Sequence, residues 1–405
     1  MKVLQINSVC GYGSTGRICT DLYKTLRRQG HDCTIAYGRG EALESIETIK
    51  IGTRKDNYFH VAYTRVFDRH GFSSKKSTIK FIEQIKEINP DIIHLHNLHG
   101  YYLNMPELVR GLNNLNKPII WTLYDCWSFT GHCSHFDYVR CHKWVTGCFE
   151  CPEKGNYPKS IFLDSSRKNY QDKRELFNSI QNLTLVVPSK WLESKVKLSF
   201  LREKNIRVLP NGIDLNVFYP RENKFKQENG IESKTIILGV ASIWTERKGL
   251  SFFAKLAKDL PANYQIVLVG ITEKQKKALP ENIMSISRTD SVDTLAEIYT
   301  AADVFINPTL EETQGLTNIE ALACGTPVIT FNTGGAPESI DEFTGIVVER
   351  ANYKELYGAI TGFDAKAYLK ENCVEKANLY DVSKLYQRYV NLYDEKFNKE
   401  GLAHE

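Results

Sequence analysis

Asn307-Pro308-Thr309-Leu310-Glu311-Glu312-Thr313-Gln314-Gly315-Leu316-Thr317-Asn318-Ile319-Glu320-Ala321-Leu322-Ala323-Cys324-Gly325-Thr326-Pro327 reads as a polar turn, a short helix and a stop. The apolar run 304–306 before it has the make-up of a buried strand, and 327–330 after it has the same make-up. The helix is expected to start near Gln314; Gly325 stands where a helix C-cap belongs, with Pro327 just beyond. Strand, helix and strand in this order are the unit of a parallel sheet, because the chain must cross back before the next strand can run the same way. Glu312 falls in the loop and Glu320 on the helix body, eight positions apart. Between them lie the backbone amides of a helix start, which attract anions. Carboxylates accept from hydroxyls, so the pair beside an anion site suits a sugar joined to a phosphate.

The same alternation runs outward through the chain. Runs 3–9, 33–37, 91–96, 119–124 and 183–187 read as strands in the first half. In the second half the strand runs are 235–241, 265–269, 283–286, 304–306, 327–330 and 345–348. Helices are expected over 16–28, 75–88, 191–201, 250–259, 291–300, 353–360 and 382–397. The pattern restarts at Thr235 after the charged stretch 221–234, which predicts two doubly wound α/β domains. Ligands of such sheets sit beyond the carboxyl ends of the strands, and a cleft between two of them is the expected site.

Composition bounds the rest. The 405 residues are 42% hydrophobic and 25% charged, the make-up of globular domains. A net charge of +4 does not argue for a nucleic-acid partner. No apolar run reaches the roughly 20 residues of a membrane span, and the N-terminal strand lacks a signal-peptide pattern. A cytoplasmic protein is expected, with room for a peripheral contact at the inner face of a membrane. Ten cysteines in such a chain are expected as thiols or metal ligands rather than disulfides.

The stretch 307–327 closely resembles the E-x7-E segment of retaining glycosyltransferases with the GT-B fold, family 4-like members of bacterial surface-polysaccharide gene sets above all. Thr313-Gln314 stand where typical members have a glycine and an aromatic. The resemblance implies two Rossmann-like domains: 1–208 on the acceptor side and 209–380 binding a nucleotide sugar, with 381–405 a helix crossing back to the first. It also implies that Glu312 binds donor sugar hydroxyls, Glu320 binds the ribose, and amides from Gln314 through Gly315 to Leu316 face the phosphates. Lys248-Gly249 matches the family's Lys-Gly helix start; Ser242 stands where relatives carry Arg, and Arg247 is expected to supply that second charge. Arg288, after the strand at Ile283, falls where relatives contact the base. Tyr124 stands where many relatives carry a donor-contacting His, and it is a poor base near neutral pH.

Other motifs gather at strand ends. Gly11-Tyr12-Gly13-Ser14-Thr15-Gly16 fits G-x-G-x-x-G after the first strand. No clear acid follows at the end of the second strand, where Glu41 is equivocal, and the resemblance points Gly13, Ser14, Thr15 and Gly16 toward donor phosphates. His96 and His99 fall at the carboxyl end of the run 91–96 and are candidates to accept or orient an acceptor proton, while His94 reads as a core histidine. Cys133, Cys141, Cys148 and Cys151, in the loop 126–152, are spaced C-x7-C-x6-C-x2-C, a pattern open to a structural zinc as well as to reduced thiols.

The expected function is metal-independent, retaining transfer of a sugar from a nucleoside-diphosphate sugar, UDP ahead of GDP, to a glycan or polyprenyl-diphosphate-linked acceptor. A nucleotide-sugar epimerase, a dinucleotide oxidoreductase and a catalytically dead sugar-binding relative are the alternatives.

Overall fold

The computed structural model describes residues 1–401; the last four of the expected segment 381–405 lie outside the described residues. The chain divides into two units, Met1–Leu209 with the chain from Tyr386 onward, and Pro210–Leu385.

The first unit is built on one parallel sheet. Its strands are β1 (Lys2–Val9), β2 (Asp32–Arg39), β3 (Thr48–Lys50), β4 (Ile92–Leu95), β5 (Ile119–Thr122), β6 (Leu183–Val187) and β7 (Asn205–Val208). They lie in the order β3-β2-β1-β4-β5-β6-β7, all parallel. The interior strands β4, β5 and β6 are buried at every position and are mostly Val, Ile and Leu, because both faces are covered by helices. The edge strands β3 and β7 go beyond the sequence expectation. Both are short and only partly buried, so they carry little hydrophobic signal.

The second unit repeats the plan with β8 (Thr235–Val240), β9 (Tyr264–Val269), β10 (Ile283–Ile286), β11 (Val304–Asn307), β12 (Val328–Phe331) and β13 (Gly345–Val348). Their order is β10-β9-β8-β11-β12-β13, again all parallel. Strand alternation sends Ile236 and Leu238 into one buried cluster and Ile237 into another, one on each face of the sheet.

The last helix, Val382–Gly401, packs its tyrosines onto the first sheet. Tyr393 Oη lies 2.6 Å from Nδ1 of His94, whose Nε2 is 2.8 Å from Thr122 Oγ1, and Tyr389 Oη is 3.2 Å from the same hydroxyl. His94 is thus the core histidine that its strand position suggests. No helix among the described residues is long and apolar enough to cross a membrane.

The loop 126–152 adds Trp127, Phe129, Phe136 and Trp144 to the core of the first unit, with Phe136 and Trp144 stacked at 4.6 Å between centroids. Its cysteines join this apolar cluster, and all ten cysteines of the chain are free thiols.

Candidate functional site

In the second sheet, β8 has β9 on one side and β11 on the other, so the order of connections reverses between β8 and β11. Loops leaving two such strands diverge and open a crevice at their carboxyl ends. Here the loops are 241–249 and 308–315, and they are stitched together. Leu310 N donates to Arg247 O at 2.7 Å, and Thr309 Oγ1 to the same carbonyl at 3.3 Å. Gly249 follows in the left-handed region at φ 78°, where a Cβ would stand 2.2 Å from Pro308 O, so glycine is required for the close approach.

The stitched loops bring together three of the charges singled out above, Arg247, Lys248 and Glu312, with a fourth, Glu311. Arg247 Nη1 lies 2.7 Å from Glu311 Oε1, and Lys248 Nζ lies 2.7 Å from Glu312 Oε2. The Lys248 and Glu312 side chains keep 39% and 18% of their exposure, so the pair is reachable from solvent. The carbonyl of Glu312 is backed by the turn after β12, where a Cβ on Gly334 would stand 1.7 Å from it.

The helix that follows runs Leu316–Ala323, two residues later than expected, because Gly315 at φ 84° is left-handed and cannot be helical. Its first turn has no side-chain cap. Leu316 contributes a first-turn amide, whereas Gln314 lies before the helix and is committed elsewhere. Its Oε1 accepts from Asn211 N (2.9 Å) and Nδ2 (2.7 Å), and its Nε2 donates to Asn211 O (2.9 Å). Glu320, one turn along, accepts from Tyr299 Oη at 2.9 Å and stays half-buried. Burial and the Glu320 carboxylate hold the Tyr299 phenol well above its ordinary range, so Tyr299 is a donor to Glu320. Arg288 does not join this group. It is exposed on the loop after β10, in a separate concavity with Phe225, Thr294 and Glu297.

In the first sheet the reversal falls between β1 and β4. After β1, the helix Gly13–Arg28 starts at once, so Gly13, Ser14, Thr15 and Gly16 form its first turn, again without a side-chain cap. Asn7 fixes this corner: its Nδ2 donates to Val9 O (2.8 Å) and Thr15 Oγ1 (3.4 Å), and its Oδ1 accepts from Asn97 N (3.1 Å).

The two histidines beyond β4 part company. His96 is buried, with Nε2 2.9 Å from Gln5 Oε1 and Nδ1 2.8 Å from Tyr124 Oη. Burial pushes its pKa down to about 3. Its expected place as a base at the surface of a cleft is therefore corrected to a neutral, fully bonded imidazole that orients Tyr124. The Tyr124 phenol is itself driven well up by burial. His99 instead sits between Asp125 Oδ2 at 2.7 Å and Tyr157 Oη at 2.9 Å. Burial pushes the Asp125 carboxyl up, but the charge and hydrogen bond of His99 outweigh it and hold Asp125 below the ordinary carboxylate range. Tyr124, Asp125, His96 and His99 line one small recess beyond β4 and β5.

In the cysteine loop, Cys133 and Cys151 share a thiol hydrogen bond, and Cys148 Sγ accepts from Gly131 N at 3.1 Å. Cys141 packs on the same cluster. Among the described residues no three Cys, His, Asp or Glu side chains converge as metal ligands.

The model of Glycosyltransferase Family 4 matches residues 15–217, half of the chain. The chain belongs to Glycosyltransferase Family 4. In this family 4 member, residues 234–363 also match the model of Glycosyl transferases group 1. The chain is 25% identical over 425 residues to the colanic acid biosynthesis glycosyl transferase WcaC of Escherichia coli (strain K12), covering 97% of the chain and 99% of that protein. Sucrose-phosphate synthase from Thermosynechococcus elongatus superposes with a TM-score of 0.70 at 18% identity, over 98% of this chain and 99% of that one. Alr3699/HepE from Anabaena, in complex with UDP and glucose, gives 0.67 at 15% identity, over 98% and 100%. The family 4 chain has the GT-B fold of such neighbours. Several residues that shape its charged crevice carry no sequence signal. Asn318, inside the short helix, receives Asn307 Nδ2 and donates to Ala336 O and Ser339 Oγ, anchoring the helix start, while Tyr299 reaches Glu320 from another helix.

Proposed function

We propose that this glycosyltransferase is a retaining enzyme of polysaccharide synthesis. It moves a sugar from a nucleoside-diphosphate sugar, UDP rather than GDP, to a glycan or polyprenyl-diphosphate-linked acceptor at the cytoplasmic side of a membrane. One observation carries the reading: Lys248 and Glu312, 2.7 Å apart, stand beside an uncapped helix start beyond the carboxyl ends of two adjacent strands. A diphosphate has the charge to draw Lys248 Nζ away from Glu312, with Leu316 N at the helix start as a further donor. The released carboxylate then accepts from the sugar hydroxyls, and Glu320 takes those of the ribose. The similarity to WcaC and to a UDP-bound neighbour supports the pathway class and the carrier.

Breaking the anomeric C–O bond leaves negative charge on the diphosphate and positive charge on the ring. Lys248 and Arg247 stabilise the former without a metal ion. The acceptor oxygen bonds to the anomeric carbon on the face the phosphate leaves, and its proton passes to a phosphate oxygen. A panel of nucleotide sugars, assayed for nucleotide release with and without acceptor, tests this reading. Release that needs or is accelerated by acceptor is expected, and Lys248→Ala should lower kcat by about 10²–10³, as loss of one donor to a developing anion does. An unchanged kcat in Lys248→Ala would overturn the phosphate role. Conversion of the donor alone to an isomer would favour the epimerase.

A structural zinc held by Cys133, Cys141, Cys148 and Cys151 is a separate proposal. Its support is the C-x2-C spacing of Cys148 and Cys151 and the buried Nε2 of His132, without a partner, beside Cys151; binding would draw together side chains that do not converge in this structure.

A further inference from the structure

The helix Arg54–Phe67 and the segment 160–165 carry a surface that the sugar-transfer reading does not use. Three consecutive large apolar residues, Ile161, Phe162 and Leu163, are 51%, 69% and 51% exposed. They are not a loose loop. Ile161 N and Phe162 N donate to Arg65 O at 2.8 and 3.4 Å, Leu163 N donates to Val66 O at 3.3 Å, and Ser160 Oγ donates to Leu163 O at 2.7 Å. The backbone is thereby pinned to the end of the helix with its side chains held out. The helix itself adds a row of rings: Phe59 stacks on Tyr63 at 6.4 Å and Tyr63 meets Phe67 at 4.9 Å between centroids. Phe59 and Phe67 are exposed. A large apolar patch of this kind on a folded domain marks an interaction site.

The charges around it choose the partner. Residues 54–67 and 154–168 contain seven Lys or Arg and only two acids, Asp56 and Asp164. Both acids are occupied, Asp56 by Thr53 and Asp164 by Cys151 N and Ser166 N. Six of the seven basic residues are exposed, and the seventh, Lys154, reaches Phe162 O at 3.3 Å. Protruding aliphatic and aromatic side chains ringed by uncompensated basic ones match a surface with anionic groups outside and hydrocarbon beneath. A protein partner would need acids set around an apolar hollow; a bilayer supplies both without shape matching.

We propose that this surface docks the enzyme on an anionic phospholipid bilayer, with Ile161, Phe162 and Leu163 entering the headgroup boundary and the basic residues held by lipid phosphates. The docking deepens the lipid-linked acceptor reading and relies on it for its purpose, not for its test. Full-length protein is floated with vesicles of phosphatidylcholine alone and with phosphatidylglycerol added. Binding to the phosphatidylglycerol vesicles is expected, at least tenfold above that to the neutral ones, and weakening with salt. Phe162→Asp with Leu163→Asp should cut the bound fraction at least tenfold, and Lys159→Glu severalfold, with thermal melts and donor hydrolysis in solution unchanged. No flotation, flotation undiminished in the double variant, or a dimer that the double variant splits would each overturn the proposal. Failure here leaves nucleotide release untouched, so it is distinct from a failure of the sugar-transfer reading.

Discussion

Lys248 and Glu312 were each legible in the sequence, one by the Lys-Gly helix start and one by its spacing from Glu320. That they contact one another was not, because 64 positions separate them and only the strand order makes β8 and β11 neighbours. His96 shows the opposite limit. Period-two alternation placed it at a strand end, but whether such a side chain faces solvent depends on Gln5, from β1, and Tyr124, from the segment after β5. Its burial has a measurable sign. Folded His96 gains a proton only near pH 3, while the unfolded chain gains it near 6.5. The unfolded state therefore holds more protons between these values, and stability present above pH 6.5 is lost as pH falls toward 3. Each such imidazole contributes about 1.4 kcal/mol per pH unit at most, and His60, also held to about 3 by burial, adds a second. Urea unfolding at pH 7, 6 and 5 should show the loss, with a shallower slope in His96→Gln. An identical slope in that variant would contradict the assignment.

The helices and loops divide along the same line. The helix Lys75–Ile88 and the helix Leu250–Asp259 match the sequence expectation at both ends, because amphipathic periodicity is strong there. The helix Arg54–Phe67 escaped a periodicity reading since its outer face mixes exposed aromatic residues with the basic ones. Its capping box, Thr53 with Asp56, was the available signal. In the cysteine loop four buried aromatics join the core of the first unit, and the cysteines lie against that core, open to a packing role or to metal binding. The two roles separate experimentally. If zinc is bound, protein purified without affinity metals should carry about one equivalent by elemental analysis, and a strong chelator should lower the melting temperature of the first unit by several degrees. Metal-free protein with the same melting temperature would assign the four thiols to the apolar core alone.

Among the described residues one hydrophobic cluster gathers residues from Leu4 to Leu201, and two others draw only on the second unit. Separate cores predict separate cooperative transitions in calorimetry. Since the charged crevice belongs entirely to the second unit, UDP at about 100 times its Kd should add about 2.7 kcal/mol to that transition, a rise of roughly 5–10 °C. A nucleotide that moved only the first unit's transition would place the donor elsewhere. The restart of the strand pattern at Thr235 made the two-unit plan readable from the chain alone, because a sheet needs consecutive apolar runs and a fresh series begins there. The resting pair at the crevice mouth also bears on selectivity in a crowded cell. An abundant anion such as inorganic phosphate, on approaching Lys248, would leave Glu312 with a charge to re-solvate. A sugar nucleotide arrives with hydroxyls for that carboxylate as well as oxygens for the ammonium. On the proposed sugar-nucleotide reading, the closed pair would discriminate against half-matched competitors, and the idle state would act as a first filter.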